Sequence, residues 1–188
     1  MTSTIKDSLA ACCFLCALSV FGCDEITDRF SSASFVEVAS EHTKLINGIE
    51  SYQSIADALS KFPVWAVLEN SSLSPSDERP PFNMYKVAIK NYSDLDVHGE
   101  LHLRFFNNRL AEVRFLPNDF DKYVDLLTKR EGITFHVTPK SFGSPEAALL
   151  PYTRVWIYRD TVDTKYRYVG WEDSRLAKEI AAWIKRYS

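Results

Sequence analysis

Residues 99–116, GELHLRFFNNRLAEVRFL, restrict the fold more than any other stretch, because they have the pattern of a β-hairpin. Apolar and polar residues alternate on both sides of Asn107-Asn108, as in two half-buried strands. A strict two-residue turn would place charges on the apolar face, so we expect a loop of Asn107, Asn108 and Arg109 or an adjacent bulge. The predicted pairs are Leu103 with Val113, Leu101 with Phe115, Phe106 with Leu110, and Arg104 with Glu112 on the solvent-exposed face.

The position of the cysteines is the most informative part of the composition. The chain has 188 residues, 46% of them apolar, and all four cysteines (Cys12, Cys13, Cys16 and Cys23) lie within the first 23. The remainder can build one domain with a sizeable core, without a disulfide framework or a cysteine-based zinc site. The formal net charge is −3 with both signs interspersed, which argues against binding to nucleic acid.

The N-terminus has the pattern of an export signal. A short polar start precedes an apolar run over residues 9–21, which is shorter than the roughly 20 residues of a membrane-spanning helix. With Val20-Phe21-Gly22-Cys23 it resembles the lipobox signal peptide of bacterial lipoproteins. The resemblance implies removal of residues 1–22, acylation of Cys23 with fatty acids such as palmitate, and a membrane-anchored domain outside the cytoplasm. An ordinary secretion signal and an uncleaved N-terminal anchor helix remain the alternatives.

The remaining residues predict an α+β fold. We expect a tether over 23–34 and a single domain over 35–188, with an antiparallel meander sheet, helices packed on one face and a C-terminal helix that closes the domain. The predicted helices are 34–46 ending at Asn47-Gly48, 51–61 capped by Ser54, one from Asn118 to Gly132, and one from its cap Asp173. The predicted strands besides the hairpin are 64–69, 84–92, 133–137, 153–159 and 165–170, with loops at 71–83 and 138–151.

A Gly48-Ile49 pair followed by strands and the GELHLRFFNNRLAEVRF hairpin resembles the small α+β domains of envelope lipoproteins of the BamE (SmpA) type. The resemblance covers roughly residues 46–116, and the second strand-strand-helix portion of this chain has no counterpart in that family. It implies a scaffold or assembly role in the cell envelope, without catalysis.

His98, Glu100 and His102 are the sharpest candidates for a functional site. Alternate residues of a strand share a face at roughly 6.5–7 Å, and two imidazoles with a carboxylate can bind zinc or iron. The same face would carry Arg104 and Arg114, whose charges oppose a dication. We therefore expect exposed strand residues, with a metal-dependent hydrolase as the alternative. The sequence indicates no nucleophile motif, catalytic set or cofactor.

The aromatic residues concentrate in the C-terminal third and can form either a core or a contact surface. The leading expectation is a non-enzymatic, membrane-anchored lipoprotein that binds or scaffolds another envelope protein. A carrier of a hydrophobic ligand, bound on the aromatic sheet face opposite the helices, is a third possibility. The candidate residues of an interaction surface are Trp171, Tyr166, Tyr168 and Phe82.

Overall fold

The computed structural model describes residues 42–74, 76–137, 146–159 and 166–188. The predicted signal peptide, Cys23, the tether and most of the predicted helix at 34–46 lie outside these residues. The helices are α1 (Ile55–Leu59), α2 (Phe120–Glu131) and α3 (Ser174–Tyr187). The strands are β1 (Lys44–Ile46), β2 (Ile49–Glu50), β3 (Ala66–Ser72), β4 (Asn83–Asp94), β5 (Val97–Phe106), β6 (Arg109–Pro117), β7 (His136–Val137), β8 (Glu146–Leu150), β9 (Thr153–Tyr158) and β10 (Tyr168–Asp173).

Within the described residues, eight strands form one antiparallel sheet in the order β3-β4-β5-β6-β10-β9-β8-β7. It consists of two meanders, β3 to β6 and β7 to β10, which meet where β6 pairs with β10 and Val113 faces Trp171. The strands β1 and β2 form a separate small hairpin. The predicted α+β class, the meander and the C-terminal helix are confirmed.

The central hairpin has the predicted register over most of its length. Leu101 pairs with Phe115, Leu103 with Val113, and Arg104 with Glu112. The turn consists of Asn107 and Asn108, both with positive φ, and the register shifts beside Ala111, so the adjacent bulge is the arrangement that forms. Because of this shift Phe106 faces Arg109, which corrects its predicted pairing with Leu110.

The main core lies on one side of the sheet, which we call the inner face. Leu101, Leu103 and Phe105 of β5 point to it, together with side chains of α1 and α2. The Tyr123 ring of α2 makes an edge contact with Phe115 at 4.8 Å between ring centroids. Alternation along the strands therefore supplies the surface on which α1 and α2 pack.

Helix α3 packs on the opposite side of the sheet, the outer face. Its Leu176 lies in a second buried cluster with Met84, Phe106 and Ala111. Phe106 directly follows Phe105 in β5, so these two side chains point to opposite faces. Thus α1 and α2 share a face as expected, whereas α3 covers an apolar patch at one end of the other face.

Two segments adopt structures that differ from the expected ones. Lys44–Ile46, predicted as the end of a helix, is the strand β1, which turns at Asn47-Gly48 and pairs with β2. Asn-Gly between apolar residues is a strong hairpin signal, and it prevails over the helical spacing. Glu146–Leu150 was expected in a loop but forms β8, in which Ala147 and Ala148 are buried.

The predicted helix ends are mostly confirmed. Ser54 and Asp173 cap α1 and α3 through their side chains, and Gly132 ends α2 with a φ of 67°. The N-cap of α2 is Asp119 and not Asn118. Signals of this kind depend on residues within one turn, which is why they can be identified from sequence.

Gly170 of β10 offers a test of the packing on the outer face. A Cβ atom there would overlap the ring of the buried Trp156. We expect Gly170→Ala to lower the free energy of unfolding by about 2 kcal/mol, measured by urea denaturation. Gly48→Ala is the comparison, because it meets open space and carries only the cost of its positive φ, about 1 kcal/mol. In a Trp156→Leu background, Gly170→Ala should cost much less than in the wild type, and an equal cost in both backgrounds would show that the clash is not the cause.

Candidate functional site

A row of charged side chains crosses six strands of the outer face, and we call it the charged row. Each member is the cross-strand neighbour of the next. In the order of the strands from β3 to β9, it consists of Glu69, Lys86, Arg104, Glu112, Glu172 and Arg154. Its three acidic and three basic side chains give it no net formal charge, although Lys86 neighbours Arg104 and Glu112 neighbours Glu172.

Glu112 is the buried centre of this row. It accepts hydrogen bonds from Nη1 of Arg104 at 2.8 Å and from Nε of Arg114. Its side chain is 6% exposed, while both arginines are about one third exposed. The predicted pair of Arg104 and Glu112 therefore forms, but Glu112 is buried rather than solvent-exposed; Ala177 and Ile180 of α3 line the same small cavity as Glu112.

Burial changes the titration of the neighbouring groups. It raises the pKa of Glu172, although Nη1 of Arg154 donates to that carboxylate at 3.2 Å. Burial alone would lower the pKa of Arg114, but the charge and the hydrogen bond of Glu112, together with the nearby Tyr168 and Glu172, outweigh burial and raise the pKa. Burial also lowers the pKa of Lys86. The arginines of this face are thus held in place by their carboxylate partners.

The four predicted surface aromatics have different environments. Tyr166 is exposed, and Tyr168 is half-buried between the stacked ring of Tyr158 and the guanidinium of Arg114. Phe82 packs against Trp183 at 4.3 Å between ring centroids. Trp171 is only 3% exposed, so its assignment to a contact surface is wrong. It alternates with Gly170 and Glu172 and therefore points to the inner face, into the core.

The three candidate metal ligands on β5 do not act as one group. Nε2 of His102 lies 2.5 Å from Oε1 of Glu100, whereas Nδ1 of His98 lies 2.6 Å from Oγ of Ser93. Burial, helped by the charges of Lys86 and Arg114, lowers the pKa of His102 despite the opposing effect of Glu100. In the part of the chain that the structure describes, three or more His, Cys, Asp or Glu side chains do not converge on a metal-sized site. The structure brings His102 and Glu100 together but leaves His98 apart from them.

The edge strand β3 has an exposed apolar surface. The sequence predicts a strand here but not its position at the edge of the sheet. All seven of its residues are exposed, and Val67 and Leu68 are 50% and 49% exposed. Trp65, just before it, is also exposed. We call Trp65, Val67, Leu68 and Glu69 the β3 edge. Consecutive apolar residues from Val64 to Leu68 were the available signal, but the strand order was needed to recognise an edge.

The two edges of the sheet differ in a way that is relevant to binding. The strand β7 at the other edge has two residues, which is one way in which proteins keep an edge from pairing with another chain. The strand β3 has seven residues, and only one charged residue and a register shift at Leu68 oppose its pairing with another chain. An edge of this length and apolar character can accept a further strand.

A cavity of about 340 Å³ lies between β1 and α2. Its apolar lining includes Leu45, Leu127 and Trp171. The carboxylate of Asp94 also lines it and accepts a hydrogen bond from the hydroxyl of Tyr123 at 2.6 Å. Burial raises the pKa of Asp94. The cavity is within the size range of small-molecule sites.

Comparison of the chain with protein-family models, curated proteins and solved structures finds no match. Among the helices that the structure describes, none has both the length and the apolar character to cross a membrane.

Proposed function

We propose that this chain is a lipoprotein of the bacterial cell envelope, anchored to a membrane through acylated Cys23, and that its α+β domain binds or scaffolds another envelope protein. The anchoring part is supported by the apolar run over 9–21 and by Val20-Phe21-Gly22-Cys23. Two acyl chains on one cysteine would provide stable attachment, because a single chain binds only marginally.

The observation that carries the binding role is the exposure of the β3 edge. An exposed edge strand with apolar side chains is a site at which an extended segment of a partner can add to the sheet. Backbone hydrogen bonds then supply affinity, and the alternate side chains supply specificity. The β3 edge is therefore the surface that supports the proposed binding role.

The anchoring is tested by metabolic labelling with an alkyne analogue of palmitate. The wild-type protein is expected to be labelled and to fractionate with membranes, whereas Cys23→Ala loses the label. Cys16→Ala is the matched control and retains it. Mass spectrometry that finds an unmodified, retained N-terminus in the wild type would contradict the proposal.

The binding role is tested by placing a photoreactive p-benzoylphenylalanine at Val67 of the full-length protein in cells. We expect one discrete cross-linked product with a reproducible partner. The control position is Ile184 of α3, which is also exposed but belongs to a helix and not to the sheet edge. Equal cross-linking at both positions, or none at either, would count against docking at the β3 edge.

A second candidate function, transport of a hydrophobic ligand, is favoured by the cavity between β1 and α2, which lies on the inner face beside α2 and not on the predicted sheet face opposite the helices. An apolar molecule should then co-purify with the full-length protein in a stoichiometric amount. Leu127→Trp would fill the cavity and remove this molecule, whereas Leu149→Trp, at an exposed position of β8, would not. Extracts of the wild type that contain no such molecule by mass spectrometry would exclude the carrier role.

A further inference from the structure

We propose that the segment that docks on the β3 edge is an extended strand from a different protein, with apolar residues and one lysine or arginine facing Glu69. This inference rests on the proposed binding function and adds the chemistry of the partner. Three features of β3 support it: its unpaired backbone, its exposed apolar side chains and the end of the charged row.

The backbone of β3 can accept another strand. Among the described strands, β3 pairs only with β4, from Ala66 opposite Ala88 to Ser72 opposite Asn83. An edge strand of an antiparallel sheet presents unpaired N–H and C=O groups on its free side. An extended segment aligned with β3 would pair with these groups and lie about 4.8 Å away.

The apolar side chains of the β3 edge favour an apolar neighbour. Trp65, Val67 and Leu68 are each between two fifths and one half exposed. Side chains directly opposite on an added strand would have Cβ atoms about 5 Å from theirs, close enough to bury part of this surface. Apolar residues in the docking segment would therefore contribute affinity.

The charged row ends at Glu69 without a cation on its outer side. Glu69 accepts a hydrogen bond from Oγ of Ser71 at 3.2 Å, and among the described residues it forms no ion pair within 4.0 Å. A basic residue on the added strand would be its cross-strand neighbour. Opposite charges at such positions stabilise a pair of strands, and like charges destabilise it.

The same charge argues against a second copy of this chain as the occupant. The strand β3 reads AVLENSS, and Glu69 is its one charged residue. A β3 strand from another copy therefore has no cation to place opposite Glu69. A partner of different sequence provides the charge complementarity that self-pairing cannot provide.

The test uses two synthetic peptides, TVTVKVTVT and TVTVEVTVT, labelled with fluorescein, and full-length protein in detergent micelles. Fluorescence anisotropy at low salt measures their affinities. The wild type is expected to prefer the lysine peptide by roughly 3- to 5-fold. Glu69→Lys should reverse this preference. The matched control Glu78→Lys changes an exposed residue of the 73–82 loop by the same charge and should keep the wild-type preference.

A third variant, Leu68→Lys, locates the binding. Leu68→Lys should lower the affinity of the protein for both peptides if they dock on β3. If both peptides bind equally and Glu69→Lys changes neither, the charge inference is overturned while docking on β3 stands. If neither peptide binds, or Leu68→Lys has no effect, docking on the β3 edge itself fails. A dimer in analytical ultracentrifugation that Leu68→Lys dissociates would make a second copy the occupant and overturn this proposal.

Discussion

Replacing Asp173 with alanine is expected to lower the free energy of unfolding by about 3 kcal/mol. Its fully buried side chain caps α3, accepting hydrogen bonds from the backbone N–H groups of Arg175 and Leu176 at 2.9 and 3.4 Å. It also accepts one from the buried hydroxyl of Ser51 at 2.8 Å. Loss of a cap costs about 1 kcal/mol, and an unsatisfied buried partner costs about 2 kcal/mol more.

Urea denaturation followed by tryptophan fluorescence measures this loss. Asp173→Asn keeps an oxygen acceptor and should lose about half as much. Asp119→Ala is the control, because Asp119 caps α2 at an exposed position and should cost only about 1 kcal/mol. A loss for Asp173→Ala no larger than for Asp119→Ala would show that the bonds of Asp173 to Ser51 and to the Arg175 side chain contribute nothing.

The same carboxylate makes stability depend on pH in a defined direction. Burial by itself would raise the pKa of Asp173, but hydrogen bonds from Arg175 and Ser51 outweigh burial and lower it. A pKa lower in the folded state contributes stability above the unfolded pKa of about 3.9, and the contribution disappears as the pH falls through the folded value. The stability difference between wild type and Asp173→Asn should therefore shrink below about pH 4.

The comparison with Asp173→Asn is needed because other carboxyl groups change the stability with pH in the opposite direction. Burial raises the pKa of Asp94 and of Glu172. Their contributions are present at low pH and disappear as the pH rises through their folded pKa values. A pH profile of the wild type alone would combine both signs.

Glu112→Gln is the second substitution with a large expected effect. It leaves Arg104 and Arg114 without their shared counter-charge on a largely covered face. Breaking a buried ion pair costs about 3 to 5 kcal/mol, and the partial exposure of both arginines reduces this to about 2 to 3 kcal/mol. Urea denaturation at neutral pH measures the loss.

Two comparisons make the result specific to burial. Arg130→Ala removes an exposed ion pair with Asp96 and should cost less than about 1 kcal/mol. Glu112→Leu combined with Arg104→Leu should be less harmful than Glu112→Leu alone, because it leaves one unpaired cation fewer. A loss of stability in Glu112→Gln as small as in Arg130→Ala would mean that water solvates Arg104 and Arg114 in place of the lost carboxylate.

The parts of the fold that could be predicted depend on short sequence separations. The hairpin register follows from alternation around Asn107-Asn108, and the caps at Ser54 and Asp173 follow from residues within one turn. The burial of Glu112 could not be derived in this way. It depends on where α3 docks, and that depends on Phe106 and Met84 from distant strands.

The candidate sites show the same division. The contact between Glu100 and His102 follows from strand alternation, whereas the β3 edge could be recognised only from the order of the strands. Trp171 looked suitable for a surface because tryptophan is common in interfaces. Its inward direction is set by its place opposite Val113, in a pairing between distant parts of the chain.

The pairing of β6 with β10 also affects the order in which the chain can fold, because the two strands lie far apart in the sequence. A chain that emerges N-terminus first, from a ribosome or through a membrane pore, exposes an unpaired edge of β6 until β10 has emerged. Contacts between remote segments form late and slowly. Until β10 has emerged, the edge of β6 that pairs with it stays open to chaperones and to other chains.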